Sequence, residues 1–289
     1  MILRRLLCLA LAATLLNACA TVPKPLPSAS APPTVPARPP RDEVTAVAIE
    51  RALAGDHRSA ANRARDGYRH PLETLLFFGI KPEMTVVEVW PGAGGWYTEV
   101  LAPLLQAGKL YTALMPATPG NEFVTQGLRQ FDEKLASRPD VYGKVTITRL
   151  GPGDFNIAPP GSADLVVTFR NLHNWMDLGI AEAALAEMNR ALKPGGILGV
   201  AEHRADPAKP VDPRAKNGYV NEDYAIKLIE AAGFELVATS EINANPADTK
   251  DYEQGVWALP PTYRAGNRDR ARYEAIGESD RFTLKFRKR

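Results

Sequence analysis

The stretch Val86–Glu99, VVEVWPGAGGWYTE, is an apolar run that contains one acid, Glu88, and leads directly into a glycine-rich turn. The run predicts a β-strand, and the residues after the turn predict a helix. Gly92, Gly94 and Gly95 carry no Cβ, so the backbone can turn tightly and approach a ligand closely. The N–H groups at the start of the helix then point towards that ligand. The stretch therefore predicts a strand, turn and helix that hold a nucleotide-like cofactor.

Short β-branched or apolar runs alternate with helical patterns along the rest of the chain. Seven runs predict strands: Thr85–Trp90, Lys109–Met115, Val145–Leu150, Asp164–Phe169, Ile197–His203, Glu235–Ile242 and Phe282–Lys288. Amphipathic spacing and stop signals predict helices at Val44–Leu53, within Asp66–Ile80, and at Ile180–Leu192 and Asp223–Ala232. This alternation is typical of a doubly wound, Rossmann-like α/β sheet with helices on both faces.

The connection between the last two predicted strands, residues 243–281, is long for a compact domain and rich in Pro, Asn, Asp and Tyr. Loops of this length are usually lids or binding elements, and disorder is the alternative. Asp248, Asp251, Tyr252 and Trp257 lie in it, so the loop is a candidate cover for a ligand site.

The N-terminus has the features of an export signal. Residues 1–18 contain two arginines followed by an apolar run that is too short for a typical membrane span. The order Leu16-Asn17-Ala18-Cys19 resembles a bacterial lipobox, which predicts lipidation of Cys19 and membrane attachment on the periplasmic side. Because Ala20 is not the aspartate associated with inner-membrane retention, the expected location is the outer membrane.

Residues 19–40 are rich in Pro and Ala, and Thr21–Pro40 contains eight prolines, so the segment is predicted to be a tether. Residues 41–289 then form a single domain. Both cysteines, Cys8 and Cys19, precede that domain, so its stability cannot depend on a disulfide.

The charge balance argues against nucleic-acid binding. The whole chain has 35 basic and 33 acidic residues, and removal of residues 1–18 takes away Arg4 and Arg5. The mature chain is then formally neutral, whereas nucleic-acid binding needs a basic excess or stripe.

The predicted strands, the glycine turn after the first, and Lys193-Pro194-Gly195-Gly196 before the fifth together resemble the class I S-adenosylmethionine-dependent methyltransferases. Three stretches, Arg69–Pro103, Thr168–Trp175 and Val256–Arg264, are similar to a bacterial family of predicted methyltransferases that are often exported. The resemblance covers Asp42–Arg289. It implies a seven-stranded, mostly parallel sheet with an antiparallel last strand, and S-adenosylmethionine as cofactor.

The resemblance also implies site residues. Glu88 corresponds to the acid of the first strand, and Gly92 and Gly94 to the second and third glycines of the turn. Asp154, next to Phe155, takes the place of an acid that receives the adenine amino group. Arg170 and Asn171 resemble a pair near the methionine end of the cofactor. The cofactor-binding residues expected are Glu88, Trp90, Gly92, Gly94, Gly95, Asp154, Phe155 and Arg170.

Two positions depart from the family pattern. Trp90 stands where the first glycine of the turn is expected, and Leu114 or Met115 stands where an acid usually holds the ribose hydroxyls. A tryptophan at this point either stacks on adenine or fills the pocket.

Candidate catalytic residues follow the fourth and fifth predicted strands, because ligands of this architecture bind beyond the carboxyl ends of the strands. They are His173, Asn171 and His203. His173 is the preferred proton acceptor and His203 the second choice, although an imidazole can also serve only to bond neighbouring backbone. His70, His173, His203 and Glu202 match no short metal-ligand spacing, so no metal site is predicted.

Two functions are therefore open. The first is S-adenosylmethionine-dependent methyl transfer to a small or lipid-like acceptor in the cell envelope. The alternative is a catalytically inactive methyltransferase-like module that binds another ligand or an envelope partner.

Overall fold

A single eight-stranded sheet organises the computed structural model, which describes residues 42–289. The predicted signal peptide, lipobox and tether lie outside the described residues. Residues 42–289 belong to one compact unit.

The sheet has the order β4-β3-β2-β1-β5-β6-β8-β7. Its strands are β1 Thr85–Val89, β2 Lys109–Leu114, β3 Thr146–Gly151, β4 Asp154–Asn156, β5 Ala163–Phe169, β6 Leu192–His203, β7 Phe234–Ser240 and β8 Arg281–Lys288. The five strands from β3 to β6 in this order pair in parallel, whereas β8 is antiparallel to both β6 and β7. The predicted Rossmann-like sheet with an antiparallel last strand is confirmed.

The predicted strand number is wrong by one. The additional strand, β4, is three residues long and antiparallel to β3, with Gly151 opposite Asp154. Gly153, with φ of +88°, supports the tight turn that joins them. The sequence Gly151-Pro152-Gly153-Asp154 is thus a hairpin turn, and it places Asp154 and Phe155, which were expected to bind the cofactor, on a strand.

Helices cover both faces of the sheet. They are α1 Glu43–Ala54, α2 Ala60–Arg63, α3 Asp66–Arg69, α4 Pro71–Phe78, α5 Thr98–Leu104, α6 Glu122–Ser137, α7 Pro139–Tyr142, α8 Leu172–Leu178, α9 Ala181–Ala191, α10 Glu222–Ala231 and α11 Arg270–Ile276. Local signals set several ends: Pro71 opens α4 and left-handed Gly79 closes it. Within residues 42–289, no helix combines the length and apolar character needed to cross a membrane.

The chain direction across the sheet reverses at β1, which pairs with β2 on one side and with β5 on the other. In open α/β sheets this switch point leaves a crevice outside the carboxyl ends of the two strands. Residues that follow β1 and β5 therefore meet there.

Alternation along β1 divides the core into two layers. Val87 and Val89 pack in one apolar cluster together with residues of α8, α9 and α10, and Val86 packs in a second with residues of α1, α4 and α5. The second layer is tight where α4 crosses β6: a Cβ built on Gly199 would lie 2.6 Å from the ring of Phe78.

We expect Gly199→Ala to destabilise the fold, because neither the Phe78 ring nor the backbone of β6 has room for a methyl group. The expected loss is about 1–3 kcal/mol in the free energy of unfolding, the usual cost of overpacking. Chemical denaturation measures it. Gly67→Ala is the matched control, since a Cβ there meets nothing within 4 Å. An unchanged denaturation midpoint for Gly199→Ala would contradict this packing.

Candidate active site

A cavity of about 590 Å³ opens at the carboxyl ends of β1 and β2. One wall is the turn after β1, from Trp90 to Ala93, and the floor includes Leu114 and Met115 at the end of β2. The opposite wall is a face of α6, and Asn171 and Asn174 close the side next to β5. The cavity thus lies at the switch point of the sheet, as the strand pattern predicts.

Trp90 forms a wall of this cavity and leaves it open. Its indole N–H donates to the carbonyl of Leu150 at 2.8 Å, so the ring extends across the end of β2 towards β3. Its edge contacts Trp175, with ring centroids 5.8 Å apart. The backbone of Trp90 has φ of +49°, the left-handed region that favours glycine. The turn therefore keeps the conformation of a glycine at this position and accepts the strain of a tryptophan.

Glu88 lies beneath the turn and not in the cavity wall. It is completely buried, and the Thr98 hydroxyl at the start of α5 donates to its Oε2 at 2.6 Å. Burial raises the pKa of Glu88 to about 7, against the lowering effect of the Thr98 hydrogen bonds. Glu88 therefore fixes the helix that follows the turn.

The three glycines of the turn differ in what they require. Gly92 and Gly95 are left-handed, with φ of +73° and +52°. Gly92 lines the cavity, whereas a Cβ on Gly95 would collide with Phe131 of α6 at 2.9 Å. Gly94 has space for a Cβ and does not line the cavity.

Asp154 and Phe155 are not brought to the cavity. Asp154 is exposed on β4, and Phe155 packs against the apolar core. Their predicted role at adenine stays a prediction. Among the described residues that line the cavity, the only acid is Asp177 of α8.

Asn171 joins the two strands of the switch point. Its side-chain amide donates to the carbonyl of Val89 at 2.9 Å and to the hydroxyl of Thr168 at 3.1 Å. A longer bond of 3.4 Å reaches the carbonyl of Trp90. Asn171 was predicted as a catalytic residue, and the structure gives it a positioning role as well.

A second cavity of about 190 Å³ adjoins the first. Arg170, His173 and His203 line it, and it shares Asn174 and Trp257 with the larger cavity. The two predicted histidines therefore come together in this smaller space. Arg170, which was expected to bind the cofactor, lies here and not in the wall of the larger cavity.

Glu202 orients His173. The carboxylate is fully buried, and its Oε1 lies 2.9 Å from Nδ1 of His173. It also accepts the backbone N–H groups of His173 and His203. With Nδ1 held by the carboxylate, Nε2 is the ring nitrogen left to accept a proton. This is the arrangement of an oriented general base.

His203 lies beside His173, with ring centroids 5.2 Å apart. Its Nδ1 is 2.5 Å from the Ser279 hydroxyl. Burial, followed by the effects of His173 and Arg170, lowers its pKa well below the usual value, so this imidazole stays neutral. His173, Glu202 and His203 each have a potential metal-ligand atom, and these three atoms lie within 4.8 Å of one another. His70, the remaining histidine considered for a metal site, is not part of this group. Their hydrogen bonds fix the two rings.

The loop 243–281 is folded and lies at the mouth of the two cavities. It contains the 3₁₀ helix Gly255–Ala258 and α11, and it has its own apolar cluster that includes Tyr252. Asp248 is buried and accepts from the Tyr219 hydroxyl, whereas Asp251 is exposed. Trp257 is the residue of the loop that reaches both cavities.

Sequence reasoning missed the wall formed by α6. Val124, Leu128 and Phe131 have helical spacing, and Asn121 caps the helix by accepting from the N–H of Val124. These signals would have predicted the helix, although not its place opposite the glycine turn.

Comparison with known proteins supports the fold and matches a methyltransferase domain to part of the chain. Residues 92–200 match a family model described as a methyltransferase domain. A SAM-dependent methyltransferase from Aquifex aeolicus has 16% identity and a TM-score of 0.50, with 84% of this chain and 97% of that chain covered. The [4+2]-cyclase SpnF has 16% identity and a TM-score of 0.54, with 84% and 92% covered. No curated protein matches the chain by sequence.

The fold is therefore that of the class I S-adenosylmethionine-dependent methyltransferases. The family match supports a methyltransferase domain in this part of the chain, and together with the SAM-dependent structural neighbour it supports S-adenosylmethionine as cofactor.

We expect Glu88→Gln to remove a pH-dependent loss of stability. The unfolded state ionises near the ordinary pKa of 4.5 and the folded state near 7, so the native protein loses stability as pH rises between these values. Above pH 7, Glu88→Gln should be more stable than the wild type by about 2–3 kcal/mol.

Denaturation at a series of pH values measures this difference. Glu182→Gln, at an exposed position of α9, is the control. If the difference in the free energy of unfolding between wild type and Glu88→Gln is the same at every pH, Glu88 ionises normally in the folded state.

Proposed function

We propose that the protein transfers a methyl group from S-adenosylmethionine to a small or lipid-like acceptor. The observation that carries the proposal is the pair of adjoining cavities at the switch point. The larger cavity follows the glycine turn, and the smaller contains a histidine held by a buried carboxylate. The fold alone is insufficient, because a cyclase shares it.

The larger cavity suits the cofactor. Its volume of about 590 Å³ falls within the range of small-molecule sites, roughly 300–1,000 Å³. Both facing walls lack bulk, since Gly92 has open space at its Cβ position and Gly127 meets only Ala93, at 3.8 Å. Trp90 and Phe123 offer apolar surface for adenine, and Gln126 and Asp177 offer hydrogen bonds in place of the missing acid.

The chemistry needs little covalent help from the protein. When bound, S-adenosylmethionine supplies a methyl group whose bonding electrons stay on sulfur as the acceptor lone pair forms the new bond. His173 receives the proton that a hydroxyl or similar acceptor loses, and Glu202 stabilises the resulting imidazolium. Asn171 holds the ends of β1 and β5 in register, so that the two cavities keep their relative position.

The open cavity leaves room for the cofactor, because Trp90 does not fill the space. The His173–Glu202 pair favours this function over an inactive binding module, because binding alone does not need an oriented base. We further propose that the enzyme acts in the cell envelope. Support comes from the sequence of residues 1–18, from the lipobox that ends at Cys19, and from the proline-rich tether. The acceptor is then an envelope component that the tethered domain reaches.

We expect the purified full-length protein to bind S-adenosylmethionine and S-adenosylhomocysteine in isothermal titration. Gly127→Phe should abolish binding, since the new ring would extend from α6 into the cavity. Gly127→Ala is the matched control: its methyl group fits and favours the helix, so binding should persist. No heat from the wild type with either ligand at submillimolar concentration would refute methyl transfer.

We expect His173→Ala to slow methyl transfer by about 10²–10⁴-fold, the usual contribution of a general base, with unchanged affinity for S-adenosylmethionine. Transfer of labelled methyl groups to an envelope extract measures the rate. His57→Ala is the control, because His57 bonds the Glu99 carbonyl away from both cavities. Unchanged transfer in His173→Ala would remove this histidine from the mechanism.

A further inference from the structure

Four arginines surround one carboxylate beside the smaller cavity. Glu278 is buried and accepts from Arg65 at 2.6 Å and from Arg69 and Arg281 at 3.2 Å each. Arg170, the fourth, lines the cavity together with Glu278. Arg170 and Glu278 are the charged residues that line the cavity, and the other three arginines lie behind it around the same carboxylate. Four guanidinium groups therefore act on one carboxylate, and this cluster has an excess of positive charge.

The guanidinium donors outnumber their acceptors. Nη1 of Arg69 and Nη2 of Arg65 are buried and have no hydrogen-bond partner. Within residues 42–289, the Arg170 side chain makes no hydrogen bond or ion pair, although it is half-buried at the cavity. Arg65 and Arg69 do not line the cavity, and the Arg69 guanidinium lies over the Trp96 ring, so Arg170 carries the argument. A charged donor without a partner is costly to bury, which indicates that an acceptor group is missing beside Arg170.

The backbone of Arg170 adds an independent observation. Its φ of +63° is in the left-handed region, which is uncommon for a residue other than glycine. Arg170 immediately follows β5, and its N–H donates to the carbonyl of Ala201 in β6 at 2.7 Å. The strained conformation places the residue at the cavity, and such strain clusters at ligand sites.

We propose that the smaller cavity binds an oxyanion, a carboxylate or phosphate group of the methyl acceptor, through the guanidinium of Arg170. The role as acceptor site rests on the proposed function. The planar fork of arginine suits two oxygens of such a group, and the polar residues Thr262 and Ser279 line the same space. An acceptor held there by its acidic group lies beside His173.

The electrostatics agree with an anion and oppose a cation. Burial lowers the pKa of Arg170 to about 10, so it is still charged at neutral pH but its charge is poorly stabilised. Although burial opposes ionisation of Glu278, Arg69 and the other arginines lower its pKa to about 2. Glu278 is thus already ionised and shared among the arginines, and a bound oxyanion would neutralise the remaining excess.

The test uses the full-length protein without S-adenosylmethionine. Sodium phosphate and sodium acetate are titrated at constant ionic strength, with chloride as the reference salt. Isothermal titration and the thermal unfolding midpoint report binding. We expect either oxyanion to stabilise the wild type beyond chloride, and whichever binds more tightly identifies the acidic group of the acceptor.

Arg170→Gln should weaken oxyanion binding about tenfold or more, the loss of one charge-assisted contact. Arg170→Lys, which keeps the charge but not the fork, should weaken it less and provides a second test if the first variant folds poorly. Arg287→Gln, at an exposed residue paired with Glu235 on β7, is the control and should bind normally.

Equal binding by wild type, Arg170→Gln and Arg170→Lys would overturn the proposal, and so would stabilisation no greater than that by chloride. A protein that binds S-adenosylmethionine but no oxyanion keeps the proposed function and loses this inference. A protein that binds an oxyanion but not S-adenosylmethionine keeps the oxyanion site and removes its role in methyl transfer.

Discussion

The side-chain amide of Asn171 is the contact on which the site depends. It bonds the last carbonyl of β1 and the Thr168 hydroxyl of β5, and so ties the two strands at which the sheet changes direction. Directly beside it the chain leaves each strand through a left-handed residue, Trp90 after β1 and Arg170 after β5. One residue faces the larger cavity and the other faces the smaller. A shift between the strands would therefore move both walls at once.

Much of the fold was predictable, because local rules decide it. The β-branched runs of the parallel strands and the proline and glycine signals at helix ends act within a few residues. The hairpin that contains β4 was missed because Asp154 was assigned to adenine binding from the family resemblance, and the pairing of β4 with β3 depends on the turn geometry. In the site, the residues after β1 and β5 were found because topology brings strand ends together. The arrangement around Glu278 was not, since Arg65 and Arg69 lie more than 200 residues away in sequence.

The near balance of 35 basic and 33 acidic residues in the sequence conceals an uneven internal distribution of charge. Glu88 is isolated under the glycine turn, where burial favours its protonated form. Glu202 is paired with an imidazole, whereas four guanidinium groups share Glu278. The same residue type therefore has three different roles within one end of the sheet: a hydrogen-bonded brace, a partner of a base, and a counter-ion. Desolvation and neighbouring charge produce these differences, and the total charge contains no information about them.

Trp257 and Asn174 form part of both cavities. A ligand that restrains either side chain in one cavity reduces the conformational freedom left to lose when the other cavity is filled. Two occupants are then thermodynamically linked, and the factor by which the first alters the affinity of the second must equal the factor in the opposite direction. Because the two cavities share these side chains, a candidate ligand of one cavity can be recognised by the change that it causes in the affinity of the other cavity for its own ligand.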